Sequence, residues 1–549
     1  MRLPILILLL QTAWGQLLPE LDPRIPESND LESISAVEAQ DGLIGEGAVL
    51  IQTLKKVTLV TWAGNSTFQV TEHLDISEGM ILPEAGKLSA KLSQWIGHAV
   101  REGDLAAMAD AILIHYDRAG YPVVLVEAPE QDPDEENLTF VVELGVIGEI
   151  GVTSPAYSDP DSIRKGLWLG RGDVIRRDEL DAQMNWYGRN VFRKPRLLVS
   201  PGMIPPSADI LIGLTEKKPW SLSMGFENSG QETIGRERFI LGAAAMTRKE
   251  HVVAWQTVLG NPVSSLEAHA AMWEIPFHAI HQTLQLSASI AEVETESLVA
   301  GLPVQDQGTS WAVSAIQGIP LPQLGRWKQS LQAGIELKST DQFVLFGGTG
   351  LSPGEVRFFN MRMGHSLERK WINGGLSVNT SIIGSPGGVV SKNDDVDFKN
   401  YDPDADATYV IGRLSSEGWW TPGGDWRIGL RAEGQVADSR LLPAEQFSAG
   451  GYQSVRGVDE REYFADMGWQ SSLEIYSPAF SPGSDSGIRF LLFYDQAWLR
   501  NTGDRSGWLS GGGIGLRAKL SEYLDLRLDH GWRLDDRGSR THLGLRTEF

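Results

Sequence analysis

The 549-residue chain has no cysteine. No disulfide staples it, and no thiolate is available as nucleophile, redox centre or metal ligand. After residue 15 it also lacks any apolar run approaching the ~18 residues that a membrane-crossing helix needs. Basic residues are scarce: 48 Lys and Arg stand against 71 Asp and Glu, a balance of −23. That excludes nucleic acid as a partner, because phosphates require a basic surface. Enzymatic signatures are missing as well. There is no H-E-x-x-H and no phosphate-binding loop, so no catalytic residue, cofactor or metal site is expected. His269, His278 and His281 lie close in sequence, but on a strand and turn, with no Cys or acidic ligand set to accompany them. Gly347-Gly348-Thr349-Gly350 has glycine density without a following Lys and reads as a loop. The acidic run Asp394 to Asp406 lacks the spacing of an EF-hand and reads as a solvated loop.

What the chain does have is 18 Trp and 60 Gly. Trp favours membrane–water interfaces, and Gly suits turns and crowded barrel walls. At the start, Arg2, the apolar stretch Pro4 to Leu10 and the small residues Ala13 and Gly15 predict a signal peptide over 1–15, cleaved before Gln16. Residues 16–48 are acidic, with Pro19, Pro23 and Pro26, and read as a linker in which Asn29 to Gln40 has room for one short helix.

From 49 onward the pattern is β-α-α-β-β. A strand is predicted over Val49 to Thr61, and a helix within Pro83 to Val100 on the spacing of Leu88, Leu92, Trp95 and Ile96. A second helix, Leu105 to Ala119, is expected to be N-capped by Asp104 and ended by Gly120. Strands Tyr121 to Glu127 and Leu138 to Leu144 follow. The order recurs with strand Ile147 to Thr153, helices Asp161 to Leu169 and Asp178 to Tyr187, and strands Arg196 to Ser200 and Ala208 to Leu214. Lys218-Pro219-Trp220 marks a change. Beyond it, period-two alternation takes over, as in Trp426, Ile428 and Leu430 against Arg427, Gly429 and Arg431. The polar faces carry both signs of charge and many glycines, strand after strand, which suits a barrel with lipid outside and water inside. An even strand number is expected for such a barrel, and the length of 218–549 fits sixteen. The last strand ends on Phe549, on the apolar face with Leu543 and Leu545.

One stretch interrupts this pattern: Gly450-Gly451-Tyr452-Gln453-Ser454-Val455-Arg456-Gly457. Its glycines make it a loop that presents an Arg at a tight turn. Set among strands about a hundred residues before the C-terminus, it resembles the VRG loop of the BamA-like superfamily of outer-membrane assembly and secretion pores. The longer Gly-Gly-x-x-Ser-Val-Arg-Gly form is closest to the two-partner secretion transporters (TpsB, haemolysin activation/secretion proteins); Val458 stands where that family has an aromatic. Pro219-Trp220 with Glu227-Asn228-Ser229-Gly230 resembles the family's first barrel hairpin, and Phe493-Tyr494-Asp495-Gln496-Ala497 its F-x-D-x-G strand. Ala119-Gly120-Tyr121 is similar to the end of the second helix in POTRA domains, and Phe549 to the C-terminal β-signal of outer-membrane proteins.

The resemblance implies a mainly β chain: a transmembrane antiparallel β-barrel of sixteen strands over 218–549, preceded by two small α+β POTRA domains over 49–145 and 146–217. It implies a plug role for a helix in 16–48, and a lumenal pairing of Arg456 with Asp495. It also implies outer-membrane translocation of an unfolded exoprotein, with POTRA capture in the periplasm, surrounding lipid and insertion by the barrel assembly machinery. An assembly factor of the BamA/TamA type is the alternative. A passive porin would carry no α+β repeats before its barrel.

Overall fold

The computed structural model describes residues 45–549 apart from 63–67, 71–72, 133–134, 300–301, 347–348, 484–485, 503–505 and 522. The expected signal peptide and the 29–40 helix lie outside the described residues. Lys218–Phe549 forms one compact unit and the described residues up to Lys217 another.

In the N-terminal unit, a five-stranded sheet has the order Phe68–Val70, Leu74–Ser77, Lys56–Val60, Asn137–Leu144, Val124–Glu127. Helices Ala85–Leu92 and Glu102–Arg118 cover it. Leu88, Met108, Ile112 and Tyr116 come off these helices at 3.6-residue spacing and are fully buried with Val57, Leu59 and Phe140 of the sheet. Two expectations need correction here. The single strand over Val49 to Thr61 is two, Val49–Ile51 and Lys56–Val60. Leu54 between them is buried and exchanges backbone hydrogen bonds with His98 and Gly97, which turns the chain from a short ribbon into the sheet. Asp104 is not the cap of its helix. The helix begins at Glu102, and Asp104 sits in its first turn, accepting hydrogen bonds from Arg101 N at 3.0 Å and Gly45 N at 3.1 Å. The hairpin Phe68–Val70 with Leu74–Ser77 was not anticipated, because neither strand exceeds four residues.

The second sheet has the order Val146–Val152, Ser207–Glu216, Arg193–Pro201. It repeats the first domain's logic: the opening strand lies parallel to the last, and the last antiparallel to the one before it. Its helices, Pro160–Lys165 and Arg177–Gly188, bury Ile163, Leu180, Met184 and Tyr187 against Ile147, Ile210 and Ile212. Arg177 fastens the two domains together, its N donating to Gly120 O at 2.9 Å and its guanidinium pairing with Asp117 at 2.5 Å.

The C-terminal unit is a closed antiparallel barrel. Seventeen strand segments line its wall, and two of them, Met467–Tyr476 and Phe480–Gly483, pair with the same neighbour as halves of one strand, which makes sixteen. Closure leaves no edge, the condition for crossing a bilayer without a helix. Side chains alternate as period two demands. Leu222, Met224, Leu430, Leu492 and Ile514 face outward, while Ser287, Ser310, Asn360 and Gln435 face in and are buried. Exposed Trp220, Trp371, Trp420 and Trp426 mark the rim of the short turns; Trp469, Trp508 and Trp532 mark the rim of the long loops. Two such belts are the signature of two membrane interfaces. Strand length varies from 8 residues at Trp220–Glu227 to 23 at Leu302–Leu324 and Thr349–Trp371. Since ~9–11 residues cross a bilayer, the longest strands overshoot it.

The ring closes over Ser223–Glu227 paired with Gly544–Glu548. Asn228 prolongs that seam past the ladder: its side chain donates to Thr541 O at 2.9 Å and accepts from Leu543 N at 2.8 Å. Phe549 exchanges backbone hydrogen bonds with Leu222 and stacks on Tyr523 at 5.7 Å on the outer surface. The acidic segment 394–406, expected as a solvated loop, contains helix Asp395–Tyr401. Asp394 caps it, accepting from Val396 N and Asp397 N at 3.0 Å, and Phe398 is buried against Phe358 of the wall at 5.2 Å. Thr349 and Gly350, expected within a loop, begin the strand Thr349–Trp371, while Gly347 and Gly348 lie outside the described residues.

Candidate functional site: a loop folded into the barrel

Strand Trp426–Ala437, the eleventh of the barrel, is joined to the twelfth by residues 438–466, which fold back inside. A two-stranded stem, Phe447–Ala449 with Tyr463–Ala465, carries the tip. Asp466, wholly buried at its foot, accepts from Leu441 N at 3.0 Å, Thr502 N at 2.8 Å and Gln446 Nε2 at 3.2 Å.

The tip needs its glycines. Gly450 and Gly451 have φ of +112° and +99°, where an L side chain is strained. A Cβ on Gly450 would also strike Asp459 O, and one on Gly451 the Glu460 carboxylate. Ser454 Oγ accepts from Gly450 N at 3.0 Å and donates to Gln470. Val455 and Val458 are buried among Ala497, Leu499 and Leu509. The site of the family's aromatic is thus a small apolar pocket here.

Between them Arg456 turns to the opposite side and is 1 % exposed. Its Nε and Nη2 each lie 2.8 Å from the two oxygens of Asp495, and its backbone N donates to the same carboxylate at 3.0 Å. Nη1 donates to Glu474 at 2.6 Å and Nη2 to Ser472 Oγ at 3.0 Å. The guanidinium lies 3.5 Å from the centre of the Phe493 ring, a cation–π contact on one face. Planarity and five donors make Arg, rather than Lys, the residue able to fill all of these positions at once.

The charges around it balance. Arg517 and Arg527 hold Asp529 at 2.6 Å and 2.8 Å, so three guanidiniums face the carboxylates of Glu474, Asp495 and Asp529. A buried charge without such compensation costs several kcal/mol. Arg527 also donates to Tyr452 O at 2.8 Å and lies over the Tyr452 ring at 3.9 Å, which ties the loop to the fifteenth strand, Leu524–Arg533. The backbone fits because the wall is dimpled. A Cβ on Gly511 would fall on Arg456 O, and one on Gly531 would lie 2.6 Å from Arg456 C. Gly457 itself, at φ +98°, presses on Trp532 and Arg533.

The structure thus brings Gly450, Gly451, Ser454, Val455, Arg456 and Gly457 into one tip and sets it on Phe493 and Asp495. Phe549 lies apart, on the outer surface. Ser472, Glu474, Arg517, Arg527, Asp529 and the wall glycines were not singled out from the sequence. Their signal was present in the inward phase of Arg517, Arg527 and Asp529 on strands already recognised, but phase alone does not pair residues across a lumen.

Comparison with known proteins decides the family. The profile described as haemolysin secretion/activation protein ShlB/FhaC/HecB matches residues 207–518, more than half of the chain. The chain belongs to this family. The heme/hemopexin transporter protein HuxB of Haemophilus influenzae is 22% identical over 468 residues, spanning 82% of this chain and 77% of its own. Among solved structures, CdiB from Escherichia coli aligns with a TM-score of 0.75 at 18% identity, covering 98% of both chains. CdiB from Acinetobacter baumannii gives 0.67 at 16% identity, covering 98% of this chain and 96% of its own. The protein is therefore a two-partner secretion transporter, an outer-membrane β-barrel preceded by two POTRA domains, and its partner is a secreted exoprotein.

Proposed function

We propose that residues 438–466 form the internal loop that keeps the pore in a state able to pass unfolded polypeptide, with Arg456 and Asp495 fixing its tip. In this reading 49–145 and 146–217 are the POTRA domains. They sit in the periplasm and capture the exoprotein unfolded, by adding it as a strand to an open sheet edge such as Arg193–Pro201. Residues 218–549 insert into outer-membrane lipid by way of the barrel assembly machinery, which reads the terminal strand and Phe549. Transport proceeds without nucleotide, cofactor or chemical step. The observation that carries the reading is the burial of Arg456 at 1 % exposure, in bidentate contact with Asp495, on a wall whose glycines leave room for its backbone.

The test is Arg456→Ala. All the wall's backbone hydrogen bonds remain, so the unboiled protein keeps its heat-modifiable mobility in detergent gels. Exoprotein secretion falls tenfold or more, and Asp495→Ala and the double variant match the single one, because the two residues act as one unit. Full secretion by Arg456→Ala would remove the loop from the mechanism.

A further inference from the structure

The loop that ends in Arg456 is moored a second time. Glu445 lies on the turn Pro443–Glu445 before the stem and is 0 % exposed. Its carboxylate accepts from Lys338 Nζ at 3.0 Å, Asn360 Nδ2 at 2.8 Å and Arg413 Nη2 at 3.2 Å. These come from the seventh, eighth and tenth strands, Trp327–Phe346, Thr349–Trp371 and Thr408–Gly423. The Arg456 clamp uses the twelfth, thirteenth and fifteenth, so the loop is held on two separate arcs of the wall. Directly before Glu445, Leu441, Leu442 and Ala444 pack with Phe398 of the short helix on Val356, Phe358, Ile383 and Tyr409. Glu445 is thus the charged underside of an apolar cap at the rim of the long loops.

The two moorings differ in what they leave behind when broken. Every hydrogen bond given to the Asp495 carboxylate among the described residues comes from Arg456. Withdrawing the tip strands a buried anion. At the other end each wall group has a second partner. Lys338 lies 3.0 Å from Glu336, Arg413 Nε donates to Gln435 at 2.8 Å, and Asn360 accepts from Tyr409 at 2.8 Å. Removing Glu445 therefore leaves Lys338 with a carboxylate, and Asn360 and the part-exposed Arg413 with neutral partners, rather than a buried ion with none. The open space lies on the same side: a cavity of about 690 Å³ is bounded by Ser314, Gln332, Arg362 and Glu433 of the wall and by Gln453 of the tip, with Ala444 and Gln446, the neighbours of Glu445, at its edge.

We propose that Glu445 is a positioning residue and the releasable one. The Arg456 tip stays fixed during transport, while the Glu445 foot detaches from Lys338, Asn360 and Arg413 and opens the cavity toward the rim of the long loops. This places the passage for the exoprotein along the sixth to eleventh strands. The inference rests on the reading of the loop given under Proposed function.

Because the chain has no cysteine, a Lys338→Cys/Glu445→Cys pair can be bridged uniquely with a cleavable bismaleimide in the full-length protein in outer membranes. Bridged protein secretes less than a tenth of what the same protein secretes after cleavage; equal secretion in the two forms overturns the proposal. A second arm reads purified Glu445→Ala in planar bilayers. Its conductance rises at least threefold with heat-modifiability unchanged, and the conservative Glu445→Asp, which keeps the carboxylate, returns it toward the parent. A merely structural role would lower heat-modifiability without that rescue, and unchanged conductance sinks the proposal even if neither bridged nor cleaved protein secretes. Full secretion by Arg456→Ala defeats the loop reading itself; a defective Arg456→Ala beside an unaltered Glu445→Ala defeats only this inference.

Discussion

In the N-terminal domains the enclosed side chains are Leu54, Leu59, Tyr116 and Phe140. In the barrel the enclosed side chains include Ser310, Asn360, Arg456 and Asp495, and it is Leu430, Leu492 and Ile514 that face out. Both regions use strands whose side chains alternate with period two. What differs is the medium on each side of the sheet. Where water surrounds the fold, apolar faces turn inward; where lipid surrounds it, they turn outward and the interior has to be held by paired charge. Among their described residues the domains do contain such a pair, Arg193 with Glu216 at 2.9 Å beside Ser158, but it fastens the edge of a core that already exists. In the barrel, the charge cluster is the core of the site.

That contrast can be broken at several points, the largest first. Phe140→Asp puts a lone carboxylate among the leucines of the first domain, at a cost of about 4 kcal/mol or more. The 49–217 fragment is expected to lose its cooperative thermal transition by circular dichroism, and a variant that still melts sharply would refute the description of that core. Gly531→Ala acts on the barrel instead. Its Cβ would meet Arg456 C at 2.6 Å and Gly457 N at 2.7 Å. Secretion should drop several-fold while heat-modifiability persists, since the outer wall is untouched; parental secretion would show that the tip does not need its seat.

Smaller effects sharpen the comparison. Burial acts to raise the pKa of Glu216, but hydrogen bonds from Ser158, Tyr157 N and Arg193 outweigh it and hold the carboxyl below its usual 4.5. A carboxyl depressed in the folded state contributes stability that is present above the unfolded value and lost as pH falls through the folded one. The melting temperature of 49–217 should therefore decline as pH falls below about 4.5, and Glu216→Gln should flatten that decline while lowering stability at neutral pH. An identical pH profile in the variant would rule the pair out as its source. The exposed pair Arg164–Asp161, at 3.1 Å, marks the lower bound. Arg164→Ala should shift stability by less than about 0.5 kcal/mol in a denaturant titration.

Particular residues show how far the sequence could be read. The glycines and Arg456 were visible because they interrupt an alternation that is otherwise regular. Asp495 was visible because its strand phase sets it with Phe493, away from Leu492 and Tyr494. Asp104 misled because the residue types that cap helices also serve in the first turn, and only the backbone donors of Arg101 and Gly45 decide between the two. The acidic run at 394–406 misled because composition hid Phe398, whose burial against Phe358 builds a helix where charge suggested a solvated loop. Glu445 gave no signal, since it sits in a short turn with no periodicity around it.

Taken alone, the order of residues determined the division into α+β repeats and barrel, the face each strand shows to lipid, and the place of the glycine-rich loop that interrupts them. Those follow from local periodicity and from glycine's backbone freedom, which act over a few residues. Which carboxylates Arg456 meets, which wall glycines seat it and which lysine holds Glu445 were decided only by the tertiary structure. These partners lie between 18 and 107 residues apart along the chain, and only barrel closure and strand register bring them together.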